Sequence, residues 1–333
     1  MMSALSRPPP PPAMHDRSTP TVPIPDARST SARPAGPARL RGIVLVALLT
    51  VYVVWGSTYF AIRLTLQSFP PFLQGGARFI VAGTLLFGFL AFRGQPLPTA
   101  KQWRHGGVVG LLLLTCGNGG VVFAEQYVSS SVAAIFIGAG PLAAAFWSGL
   151  FGYWPQRAQW AGIALGFGGI VLLAGGSQLS GHPIGAACLT VAVVAWTLGS
   201  VLAQRALSPA PGAMGFATEM LVGGTAMVAI GLLHGEVPQL VAAWPPTPTA
   251  SFAFVYLVFA GSLLAFSAYM YLLTKVSSTV AISYAYVNPM IAVLLGVAFG
   301  GEVLSFREGL ATAIIVGSVV LLTRERPVKG STG

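Results

Sequence analysis

From Arg41 to Thr323 the chain is a nearly unbroken series of apolar runs separated by short breaks. A helix needs ~20 apolar residues to cross the ~30 Å hydrocarbon core of a bilayer. Candidate spans fall at 43–62, 72–92, 106–126, 131–151, 158–175, 183–203, 214–233, 251–273, 279–299 and 304–322. The breaks carry turn signals such as Pro70-Pro71, Arg93-Gly94-Gln95-Pro96, Trp154-Pro155-Gln156-Arg157 and Gly175-Gly176-Ser177,. Helices are expected rather than a barrel, whose strands alternate over ~10 residues. Composition excludes a water-soluble enzyme: 54% of residues are hydrophobic and 8% charged, where soluble domains carry about 25% charged. The sequence therefore predicts an all-α polytopic membrane protein with ten transmembrane helices.

Residues 1–40 read as a disordered, basic cytoplasmic tail, with ten prolines in the first 38 positions,. Residues 324–333 form a second cytoplasmic tail. The formal net charge of +10 is not gathered on one helix face, so no nucleic-acid partner is expected. With the N-terminus inside, 15 of the 18 Lys and Arg fall in the inner loops and tails, as the positive-inside rule requires. The exceptions are Arg63, Arg78 and Arg307. An even number of spans is expected, with both termini cytoplasmic. Cys116 and Cys188 lie in apolar runs and read as free thiols,. No metal or cofactor signature is present, and no Walker A motif,.

The two halves, 42–175 and 183–323, repeat each other. Shifted by 148, residues 128–152 fall on 276–300 with nine of 25 positions identical, Pro141 landing on Pro289. A shift of 141 brings Trp55 onto Trp196 and Gly83-Thr84 onto Gly224-Thr225. Five spans per copy is odd, so the second copy runs upside down. Inverted repeats are the mark of secondary transporters, whose halves exchange positions about a central site.

The ordered set of motifs resembles the drug/metabolite transporter superfamily in its ten-span form with two EamA-type repeats. Those motifs are Trp55-Gly56-Ser57-Thr58-Tyr59-Phe60, Arg78-Phe79, Gly117-Asn118-Gly119, Glu219-Met220, Tyr284-Ala285-Tyr286-Val287-Asn288-Pro289 and Gly300-Gly301-Glu302. The resemblance covers about 42–323 and implies an exporter of amino acids, metabolites or amphipathic drugs. One departure stands out: the place equivalent to Glu302 in the first half holds Trp154. That acid is therefore given no essential transport role.

Ionisable residues inside spans are costly and point to function. Arg78 and Glu219 are repeat equivalents, expected ~12 Å apart in depth and so not directly paired. Arg63 and Glu125 lie near one outer level, as an interfacial ion pair or as coupling groups. A carboxyl in low dielectric favours its neutral form, which makes Glu219 the better proton-site candidate. For a small-molecule substrate, the candidate binding residues are Trp55, Ser57, Tyr59, Asn118, Trp196, Tyr284, Tyr286 and Asn288. Thr58, Ser200, Ser262 and Ser267 are lesser candidates. Helix-helix glue is the structural alternative for these polar groups. Pro141 and Pro289 read as paired hinges, or as static packing kinks. An intramembrane enzyme is not expected, since no span holds a His or Asp and no two acids share one. A facilitative permease is the main alternative to a coupled exporter, and a membrane sensor or receptor the lesser one. Oligomeric state is not legible.

Overall fold

The computed structural model describes residues 42–152, 154, 157–276 and 284–323. All regular structure in them is helical. Seven helical segments are long and apolar enough to cross a membrane, at Gly42–Thr65, Pro71–Phe92, Ala100–Ala124, Ser130–Leu150, Pro183–Arg205, Gly212–Leu233 and Pro248–Leu272. Shorter apolar stretches cover Trp160–Ala174 and Val287–Gly300. The expected start of the ninth span, at 279, lies outside the described residues.

The first helices are α1 (Gly42–Thr65) and α2 (Pro71–Phe92). Pro71 stands at the head of α2, where its missing N–H leaves no bond unmade,. The third span begins at α3 (Ala100–Gly110), earlier than the apolar run suggests. Thr99 and Gln102 form a reciprocal capping box, Thr99 N–H donating to Gln102 Oε1 at 2.8 Å, which carries the helix into a polar stretch. The span then widens into a π-helical segment, π1 (Leu111–Asn118), and ends as α4 (Gly119–Ala124). The fourth span is not one helix. It breaks into α5 (Ser130–Ile137) and α6 (Gly140–Leu150). Pro141 explains the break, because its ring excludes the carbonyl four residues back, that of Ile137.

The chain continues through α7 (Arg157–Ala174), the short α8 (Ser177–Gly181), α9 (Pro183–Arg205), α10 (Gly212–Leu233) and the short α11 (Val237–Ala242). The eighth span repeats the build of the third: α12 (Pro248–Tyr256), π2 (Leu257–Leu264) and α13 (Ala265–Lys275). Both π segments are eight residues long. The last helices are α14 (Tyr284–Gly300) and α15 (Phe306–Thr323). Pro289 sits inside α14, which stays continuous, so the two equivalent prolines are not used alike.

Glycines let backbones meet across the bundle. A Cβ on Gly76 would lie 2.7 Å from the Gly224 carbonyl oxygen, and one on Gly83 would lie 3.2 Å from that of Ala217. Rising numbers on α2 meet falling numbers on α10, so the two helices run antiparallel. Close approach through small residues is how apolar helices associate in lipid. Elsewhere α7 packs on α15, while α1 packs on α12, α13 and α14, and α9 packs on π1, α4 and α6.

At one end of the bundle two glutamates hang from left-handed glycines. Gly235 (φ 77°) and Gly301 (φ 61°) end α10 and α14 in a conformation that favours glycine,. The next residue in each case is glutamate. Glu236 accepts from the N–H groups of Phe72 and Leu73 at 3.1 and 2.8 Å. Glu302 accepts from those of Ser130 and Ser131 at 3.0 and 3.1 Å. Each carboxylate therefore satisfies donors that the start of a helix leaves free, α2 and α5 respectively, with the favourable dipole. We call this the carboxylate end.

Candidate functional site

The expected site residues fall into two groups. The first surrounds π2. Trp55 Nε1 donates to the Gly261 carbonyl at 3.2 Å. Its ring stands edge-on to Tyr284 at 4.8 Å and tilted to Tyr269 at 5.2 Å. Two residues along α1, Ser57 Oγ shares a 2.6 Å hydrogen bond with the Tyr256 hydroxyl. Both line a recess of about 480 Å³ between α1 and α12, with Phe60, Leu64, Thr249 and Phe252.

Arg78 enters the same place from α2. It is 4% exposed. Its Nε donates to Ser262 Oγ at 2.9 Å, and that hydroxyl donates in turn to the Leu257 carbonyl at 3.0 Å. The guanidinium also lies 4.9 Å from the Phe79 ring centroid. A Cβ on Gly261 would meet an Arg78 terminal nitrogen at 3.1 Å and Thr58 Cγ2 at 3.2 Å. Gly261 thus permits the guanidinium and the first helix to close on π2. No ion pair joins Arg78 to Glu219 among the described residues.

The second group occupies the carboxylate end. Here the structure corrects one expectation. Arg63 pairs with Glu302, not with Glu125. Glu302 follows a left-handed glycine that swings it across α1, and it also receives the Ser130 and Ser131 hydroxyls. Glu125 is buried beside this pair with both carboxylate oxygens unpartnered. It opens with Arg63, Tyr127, Gln178 and Glu302 onto a recess of about 360 Å³. Burial alone would raise the Glu302 carboxyl, but the hydrogen bonds from Ser130, Ser131 and Arg63 hold it below the ordinary glutamate range,.

The remaining candidates are scattered. Trp196, the repeat equivalent of Trp55, packs in a cluster with Phe79, Leu114 and Val258. A Cβ on Gly117 in π1 would lie 3.1 Å from its ring, so each of the paired tryptophans abuts a π segment. Asn118 and Asn288 each hold a buried Oδ1 with no partner. Tyr59 packs at the edge of the cluster of α5, α9 and α15. Glu219 is buried on α10. Ser200 donates to the carbonyl of Trp196 on its own helix, which fits helix bonding, and Ser267 is exposed. The Tyr286 side chain lies outside the described residues. Pro289 lies against the break between α5 and α6, since a Cβ on Gly138 would lie 2.8 Å from its ring.

Several residues at these sites escaped sequence reasoning. Glu302 was set aside because its repeat position holds Trp154, yet it gathers more partners than any candidate discussed above. Glu236 had a legible signal: a Gly-Glu pair closing an apolar run, as at 301–302. Tyr256, Tyr269 and Gln74 carried no signal separable from a packed helix.

The family profile of the EamA-like transporter family matches residues 41–175 and again 183–324. The chain belongs to that family of the drug/metabolite transporter superfamily. It is 44% identical over 278 residues to the uncharacterized inner membrane transporter YedA of Escherichia coli strain K12, covering 83% of this chain and 89% of that one. A WAT1-related chloroplastic protein of Arabidopsis thaliana is 24% identical, covering 83% and 68%. A solved crystal structure at 20% identity superposes with a TM-score of 0.58, covering 85% of this chain and 97% of its own, and supports the fold alone.

Proposed function

We propose that the protein is a ten-span secondary transporter of the inner membrane, with both termini cytoplasmic. It exports amino acids, small metabolites or amphipathic drugs by alternating access between two inverted five-helix halves, about 42–175 and 183–323. The observation that carries this reading is reciprocal packing. Helix α1 packs on α14 as α9 packs on α6, and α1 packs on the π2 span as α9 packs on the π1 span. The self-equivalent pairs, α2 with α10 and α7 with α15, also meet. A half-turn exchanging the halves accounts for every one of these pairs, and the antiparallel α2–α10 contact is what inversion requires. Such a bundle can present its centre to either side by rocking one half on the other. Pro141 and Pro289, touching through Gly138, act as the hinge of that motion. Glu125 and Glu219, buried and in no ion pair among the described residues, are the groups that can exchange a proton with it.

The test is uptake of a mixed metabolite pool into proteoliposomes, read by mass spectrometry with and without a pH gradient. Uptake of a few solutes, enhanced by the gradient and abolished in Glu125→Gln or Glu219→Gln, is the expected result. Uptake indifferent to the gradient and to both substitutions would favour facilitated passage. No uptake at all would shift weight to a sensor.

A further inference from the structure

We propose that Arg78 binds the carboxylate of the transported solute, which makes the solute a small organic anion with an apolar body. This rests on the transporter reading above and names the substrate class of that same central site.

Arginine keeps its charge in any protein setting. A charge at membrane depth is expensive unless another group answers it. The sequence holds eight acidic residues. Asp16, Asp26 and Glu325 lie outside the described residues, and the other five can be placed. Glu236 caps α2. Glu302 caps α5 and pairs with Arg63. Glu308 caps its own helix through Ser305. Neither Glu125 nor Glu219 forms an ion pair, since Arg63–Glu302 is the one pair among the described residues. The countercharge of Arg78 is thus not among these five carboxylates.

What surrounds Arg78 has the shape of a recognition site. Ser262 occupies Nε and fixes the plane of the fork, leaving the terminal nitrogens for a bidentate oxyanion. One turn back on the same face of α2, Gln74 is 2% exposed and both of its amide atoms lack a partner,. A buried amide of this kind is costly unless something bonds to it. Trp55 donates to the Gly261 carbonyl, and its ring packs against Tyr269 and Tyr284. A charged fork held by Ser262, an unanswered amide one turn away on α2 and an aromatic cluster anchored on the Gly261 carbonyl suit a carboxylate carried on an apolar or aromatic body,.

The experiment measures binding in detergent and transport in liposomes separately. The probes are acetate, benzoate, phenylacetate and N-acetyl-phenylalanine, each beside its uncharged amide. Binding is read by the shift in unfolding temperature and by tryptophan fluorescence. Members of the acid series with an apolar body should protect the wild type, and their amides should not. Arg78→Gln should weaken protection roughly ten- to a hundredfold, and Arg78→Lys should restore part of it. Equal protection by acid and amide, protection by no acid of the series, or full acid binding by a folded Arg78→Gln protein would each overturn the proposal. The acid-against-amide comparison needs no variant, so a misfolded mutant leaves the proposal open to refutation. Uptake confined to cations or neutral solutes would defeat the proposal and leave the transporter reading intact. Acid binding that Arg78→Gln weakens, with no uptake of any solute, would keep Arg78 as a carboxylate site and defeat the transporter reading.

Discussion

Glu302 stays ionised against its burial because it receives backbone and hydroxyl donors from Ser130 and Ser131 and the guanidinium of Arg63. A carboxyl held below its ordinary value, about 4.3, stabilises the fold above that pH and loses the contribution as pH falls through the lower folded value. The difference in unfolding temperature between wild type and Glu302→Gln should therefore be constant above about pH 5 and shrink below about pH 4. A difference unchanged at pH 3 would count against an ionised Glu302. Replacing Glu302 by alanine should cost about 2–4 kcal/mol, since several buried donors lose their acceptor. Arg63→Ala should cost less, about 1 kcal/mol, because its side chain is 38% exposed. None of this was legible residue by residue. Glu302 looked expendable beside Trp154 because a repeat comparison weighs equivalence, whereas a cap depends on which helix start lies across the loop. For the same reason Arg63 was matched with Glu125 by depth alone, and depth does not say which of two nearby acids faces it.

At the scale of the element, apolar runs and turn residues marked the long helices well. They did not mark the start of α3, where the Thr99–Gln102 box extends the helix into polar sequence, although that spacing was there to be read. The π segments are illegible for a different reason: widening a turn leaves the residues as apolar as before. They matter because a π turn is often found where function needs a displaced side chain, and here the paired tryptophans rest on them. Glycine contacts give the sharpest element-level expectation. Gly76→Ala places a Cβ 2.7 Å from the Gly224 carbonyl and 2.8 Å from the Val228 nitrogen, and backbone cannot rotate aside. It should destabilise by about 1–3 kcal/mol. On the same helix, a Cβ on Gly88 meets nothing within 4 Å, so Gly88→Ala should be neutral or stabilising by up to about 1 kcal/mol. Thermal unfolding in one detergent compares the two, and equal effects would refute the close α2–α10 approach.

Across the whole molecule, the proposed even number of crossings would leave both ends of the chain on one side, and the basic loops point to the cytoplasmic side. A green fluorescent protein fused after Gly333 should fluoresce, and alkaline phosphatase fused there should be inactive; the opposite pattern would require an odd number of spans or a reversed bundle. The repeat offsets made the two repeats legible from the sequence, because Pro141 and Pro289 or Trp55 and Trp196 recur at near-constant spacing. They could not foretell that one proline would split its span while the other stays inside a continuous helix.

The Glu302 contacts bear on how the carboxylate end can move. One side chain joins the tail of α14, the head of α5 and Arg63 of α1, so loosening any one of the three withdraws support from the other two. Under the proposed rocking of the halves, separation there would break these bonds together, as in packed interfaces that switch between discrete arrangements. On that reading this end of the bundle would take two positions with little population between them, and the hold of Glu302 would set how sharply they are divided.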